Sequence, residues 1–121
     1  MSVPRKVSAI LGALGVGLGA FGAHGLRTVL EAHQTLPIWQ TASQYHLLHV
    51  IVLLYLSGKK NVPTAAFWSF TGGILVFSGT LYLLAYTGFR KLGAITPVGG
   101  VLLILGWLLL LKSEPAPRDD S

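Results

Sequence analysis

The sequence predicts an all-α membrane protein built as a bundle of four transmembrane helices, and three observations predict it. The chain of 121 residues is 52% hydrophobic and only 11% charged, where a soluble domain carries about 25% charged residues. Its apolar residues fall into four stretches, each near the roughly 20 residues that cross a bilayer core of about 30 Å. No Asp, Glu, Lys or Arg lies inside any of the four. The expected spans are about 7–25, 38–57, 64–87 and 92–111, forming one domain over 1–111. KSEPAPRDDS at 112–121 is polar and proline-containing, and reads as a disordered tail.

The first span, VSAILGALGVGLGAFGAHG, is unusually rich in small residues. Ser8, Gly12, Gly15, Gly19 and Gly22 follow at spacings of four, three, four and three, which puts them on one stripe of a helix. A smooth stripe lets other backbones come close, the way helices pack in lipid. This span is therefore expected to be the one against which the others pack, with Gly15 and Gly19 at a helix contact. Gly17, Gly19 and Gly22 also match the dinucleotide fingerprint GxGxxG. That motif needs a preceding strand and an acidic residue about 20 positions on. Here Trp39 to Ala42 stand at that distance, with no acid. Arg5, Lys6 and the small residues near Ala23 imitate a signal peptide, but three more apolar segments follow.

The remaining elements follow in order. Leu26 to Pro37 is a polar connection in which RTVLEAHQTL has the spacing of a short interfacial helix, ended by Pro37. Trp39 opens the second span at the membrane interface. Gly58 to Pro63 turns the chain, and Pro63 opens the third span. Gly88-Phe89-Arg90-Lys91 turns it again, and Pro97 interrupts the fourth span early. Gly72 and Gly79 in the third span mirror Gly99 and Gly106 in the fourth. Either the two helices are duplicated or both use glycine for close packing, and the second reading is simpler.

Four spans place both termini on one side. That side holds Arg5, Lys6, Lys59, Lys60, Lys112 and Arg118, while Arg27, Arg90 and Lys91 lie opposite. The positive-inside rule then puts both termini in the cytoplasm. The formal charge of +5 comes from these scattered pairs. They suit anionic lipid head groups and form no basic stripe for nucleic acid. There is no cysteine, which excludes disulfides and thiolate metal sites.

What polarity the spans hold is uncharged. His24, Tyr45, Ser78, Tyr82 and Thr96 fall at matching depth in the outer half, and His49 comes near the membrane middle. They form either a small polar cluster open to the outside or a set of interhelical hydrogen bonds. His49 is expected to be buried, with a hydroxyl such as Tyr82 or Ser78 as partner. His46 and His49, three apart, also invite a metal or haem reading, but no carboxylate stands near to orient them. No nucleophile, base and acid set lies within the spans, so an enzyme is not expected, nor a cofactor. Gly12, Gly15, Gly19, Gly22, Gly72, Gly79, Gly99 and Gly106 are the expected packing glycines.

GAFGAHGL at 19–26, WQTASQYHLLH at 39–49, FSGTLYLLA at 77–85 and TPVGG with GW at 96–107 together resemble the YgdD/YwdK-like small membrane proteins of bacteria. Their eukaryotic relatives are called transmembrane protein 256. The resemblance covers about residues 10 to 110. It implies a four-helix protein of the bacterial plasma membrane, of uncharacterised function. It points to His24, Tyr45, His49, Ser78, Tyr82 and Thr96 again, with Gly19, Gly22, Gly79, Gly99 and Gly106, and adds Phe21, Ala23, Thr41, Pro97, Gly100 and Trp107. Thr80 stands where the pattern has serine, and His46 is not a fixed part of it. The reading that follows is a structural or interaction component whose partners are the lipid bilayer and other membrane proteins or a second copy. The alternative is a small-molecule binder or carrier using the polar cluster.

Overall fold

A computed structural model describes residues 2–112, and these are helical almost throughout. The order is α1 (Val3–Ala23), α2 (Arg27–Ala32), α3 (Leu36–Ser57), α4 (Thr64–Gly73), a π-helical turn (Ile74–Ser78), α5 (Gly79–Thr87), a 3-10 turn (Arg90–Ala94) and α6 (Thr96–Leu110). The tail expected to be disordered lies, from 113 onward, outside the described residues.

Three helical stretches among the described residues are long and apolar enough to cross a membrane: Val3–Ala23, Thr64–Thr87 and Arg90–Leu110. The second of these runs from α4 through the π turn to α5. α3 has the length, at 22 residues. Its first fourteen residues, however, hold Gln40, Thr41, Ser43, Gln44, His46 and His49, and this polarity separates it from the other three.

Prolines start helices here. Pro4, Pro37 and Pro97 sit in the first turns of α1, α3 and α6, and Pro63 caps α4. A first-turn residue has no intrahelical partner for its N–H, so proline loses nothing there. Two expectations are thereby corrected. Pro97 opens the last helix instead of interrupting it. Pro37 belongs to α3, and the interfacial helix α2 has already ended at Ala32.

What ends α2 is Gln34, in the left-handed region at φ 58°. Thr35 N–H donates to the Leu30 carbonyl at 2.9 Å and Gln34 N–H to that of Glu31 at 3.1 Å. These are the two bonds of a Schellman close. Thr35 Oγ1 then donates to the Ala85 carbonyl at 2.6 Å, which ties the connection to α5.

Neighbouring segments run antiparallel. Along the α1–α3 seam, a Cβ on Gly22 would overlap the Trp39 indole. One on Gly15 would stand 2.6 Å from Leu47 Cδ2, and one on Gly12 3.3 Å from Val50 Cγ1. Gly19 is looser, its nearest neighbour being Ser43 Oγ at 3.8 Å. Along the other seam, Gly106 meets the Phe70 ring, Gly73 meets Leu103, and Gly99 meets the backbone of Phe77. Gly72 has only ordinary contact with Leu102, at 3.5 Å. Gly79, expected at a packing contact, has nothing within 4 Å of where its Cβ would be. Its spacing from Gly72 echoes Gly99 and Gly106, but the π turn between the two shifts the face on which Gly79 emerges.

α3, not α1, is the element the others gather around. It packs on α1, α2, α4, α5 and the π turn, and reaches α6 through His49 and Trp107. Its sequence sets three levels. Trp39 and Ala42 join Leu30, Tyr82 and Ala85 in one apolar core. Val50, Leu53 and Leu56 join Leu11, Phe67, Phe70, Ile74 and Leu103 in a second. His46 and His49 lie between the two.

Candidate functional site

The two buried histidines of α3 anchor two hydrogen-bonded sets, one on each side of the helix. Successive helical residues turn by about 100°, so His46 and His49 leave the helix about 60° apart and meet different neighbours. Each is only 3% exposed, so each ring nitrogen needs a partner.

His46 faces α1 and α5. Its Nε2 is 2.8 Å from the Leu11 carbonyl, which can only accept, so Nε2 carries the proton. In the neutral ring Nδ1 then accepts, from the Tyr82 hydroxyl at 2.9 Å. Tyr82 Oη is also 3.4 Å from Ser43 Oγ, and the Tyr82 ring packs edge-on against Trp39 at 4.7 Å. Trp39 Nε1–H donates to the Leu18 carbonyl at 2.9 Å, and Ser78 Oγ donates to that of Ala42 at 2.8 Å. Sequence reasoning set His46 aside and placed Tyr82 with His49. The helical phase of His46, on the face of Trp39, Ala42 and Leu53, was the available signal for its burial.

His49 faces α4 and α6. Its Nδ1–H donates back to the Tyr45 carbonyl at 2.8 Å, so its Nε2 accepts, from Trp107 Nε1–H at 3.1 Å. Thus the two histidines hold opposite tautomers. The His49 ring also lies 5.7 Å from that of Phe70 and 5.9 Å from that of Trp107. It reaches neither Tyr82 nor Ser78, the partners expected for it. Its true partner, Trp107, is a residue that the family resemblance had marked and the polar reading had not used.

The six residues expected to cluster are therefore spread over several places. Tyr82 and Ser78 belong to the His46 side, Tyr45 and His49 to the α6 side. Thr96 pairs with Thr80 at 2.7 Å, fastening the start of α6 to α5. His24 caps the end of α1 and is exposed. Beside His49 the surface dips into a groove of about 400 Å³, lined by Tyr45, His49, Phe77, Gly100, Leu103 and Trp107 among others.

A metal would need a free imidazole lone pair. In both rings the one acceptor nitrogen already takes a hydrogen bond, and the two rings point to different seams. No group of three or more His, Asp or Glu side chains is gathered to hold a metal among the described residues.

Apolar helices joined by uncharged hydrogen bonds to backbone carbonyls define a helical membrane protein. The chain belongs to the family described as protein of unknown function DUF423, which it matches over residues 18–100. It is 45% identical over 117 residues to the UPF0382 membrane protein YwdK of Bacillus subtilis, covering 88% of this chain and 94% of that one. It is 47% identical over 114 residues to a UPF0382 membrane protein of Staphylococcus saprophyticus, covering 88% and 94%. No solved structure matches it.

Proposed function

We propose that this is a four-span bundle of the bacterial plasma membrane, with both termini in the cytoplasm, that serves as a structural component packing with other membrane proteins. It carries out no reaction of its own. One observation carries the reading: the buried polar side chains of α3 are spent on its neighbours. His46, His49 and Trp39 each close a hydrogen bond to another segment, so none of the three is free to act on a substrate. Close approach at Gly22, Gly99 and Gly106 supports the same reading. Outward, α1 presents Ile10, Leu14, Val16 and Phe21, and α6 presents Val98, Val101, Ile104 and Leu108, all exposed. α3 crosses the membrane as the least apolar span, sheltered by the other three. The carrier reading keeps only the groove beside His49, because its other expected residues are elsewhere.

The test is site-specific photocrosslinking in native membranes, from Val16 on α1 and Val101 on α6. A discrete membrane-protein adduct that recurs from one face supports the proposal. Lipid adducts alone from both faces would sink it. Reporter fusions after Ser121 that are active only in the cytoplasm are expected, and activity only outside would overturn the orientation.

A further inference from the structure

The groove beside His49 is built from the middles of three segments. Tyr45 and His49 flank the centre of α3, Phe77 lies in the π turn, and Gly100, Leu103 and Trp107 lie along α6. Tyr45, Leu48, Ile104 and Trp107 are 42%, 54%, 61% and 47% exposed, so the groove opens sideways. Halfway along membrane spans, a sideways opening leads into hydrocarbon, and what enters must be lipid-soluble. Its volume of about 400 Å³ falls in the usual range for small-molecule sites.

Two features select the occupant. The walls are rings: Tyr45 and Phe77 lie 4.8 Å apart, and His49 and Trp107 lie 5.9 Å apart. Such walls favour a flat ring through offset and edge contacts. The second feature is the Tyr45 phenol. Among the described residues its hydroxyl has no hydrogen-bond partner; the Tyr45 contacts are its backbone carbonyl and its ring. His49 and Trp107 have used their polar atoms on each other. A phenol in hydrocarbon gains from any acceptor brought to it, and an acyl chain brings none.

We propose that this groove binds a lipid-soluble quinone: a planar ring seated among Tyr45, Phe77 and Trp107, with a ring carbonyl accepting from the Tyr45 hydroxyl and a prenyl tail lying in the bilayer. The proposal goes beyond the structural role above and does not depend on it. The experiment uses the full chain in nanodiscs of a single phospholipid. The probe is a naphthoquinone with a short prenyl tail, and its affinity is read from the shift in thermal midpoint with probe concentration. Saturable binding is expected. Tyr45→Phe, which removes only the hydroxyl, should weaken it about fivefold, the worth of one hydrogen bond. Ile104→Phe, at an exposed position on the groove rim, should abolish it while helicity is kept. The proposal is overturned if no saturable binding is seen or if Tyr45→Phe binds as tightly as the parent. Equal competition by squalene, a prenyl hydrocarbon without a carbonyl, would also overturn it and identify the groove as a seat for a hydrocarbon chain.

Discussion

Gly99→Ala offers a sharp test of how α6 meets the π turn. A Cβ at Gly99 would overlap Phe77 N, with Phe77 Cα at 2.7 Å and Cβ at 2.8 Å. These are main-chain atoms and the root of a side chain, so no rotamer change relieves them. The helix must move away, giving up dispersion contacts along the seam. Overpacking of this kind costs about 1–3 kcal/mol, and alanine returns about 0.5–1 kcal/mol in helix propensity. A net loss of about 1–2 kcal/mol is expected. Gly100→Ala is the control on the next residue. Its Cβ would stand 3.7 Å from Phe77 Cδ2, an ordinary contact, so stability should hold or rise by up to about 1 kcal/mol. Unfolding of both variants in mixed micelles, followed by far-UV circular dichroism, measures the difference. Equal stability of the two would refute the close backbone approach.

Gly79→Ala should be neutral or stabilising by about 0.5–1 kcal/mol, since nothing lies within 4 Å of the added carbon; a loss in the same titration would mean that the helix face there is covered. Tyr82→Phe removes the donor to His46 Nδ1 and should cost about 1–2 kcal/mol, chiefly through the buried acceptor left behind. His46→Ala made in the Tyr82→Phe background should then cost less than it does alone, and strict additivity would deny the pair. Trp107→Phe should couple to His49→Ala in the same way, by about 0.6 kcal/mol and no more than about 1.7 kcal/mol, whereas Trp107→Phe and Tyr82→Phe should add, because they lie on opposite sides of α3.

The composition and the spacing of the apolar stretches made the helical, membrane-embedded class legible, because twenty apolar residues without a charge have few other uses. Helix ends were legible within a few residues wherever proline or glycine marked them, as at Pro63 and Gly88. What escaped was phase. Gly79 lies seven residues after Gly72, which on an unbroken α-helix would share its face. The π turn inserted between them breaks that count, and nothing in ILVFS announces it. The histidine partners escaped for a related reason. Distance along a helix can be counted from sequence, and His49 does lie near the middle of α3, between the two apolar cores. The direction in which a side chain leaves the helix relative to its neighbours depends on how the helices are rotated. Three residues, about 60° in net angle, separate a histidine that meets Tyr82 from one that meets Trp107.

This angle also accounts for the central place of α3. Of the long helical stretches among the described residues, it alone lacks the apolarity to cross a membrane by composition, since its first fourteen residues hold two histidines and several amide and hydroxyl side chains. Left facing lipid, each would sit unpaired in hydrocarbon. Two opposite seams absorb the histidines. His46 takes a carbonyl of α1 and a phenol of α5, and His49 takes its own helix's carbonyl and an indole of α6. Both can do this uncharged, because a neutral imidazole offers one donor and one acceptor, and the choice of tautomer lets each ring match what its seam provides. What α3 leaves exposed is apolar only in its second half, at Leu48, Ile51 and Leu54; nearer its start, Gln40, Thr41 and Gln44 are exposed. The helix least fit to stand alone in lipid is thus the one with neighbours on most sides. Its polarity, which counts against insertion residue by residue, supplies the hydrogen bonds that fix how α1, α5 and α6 are rotated around it.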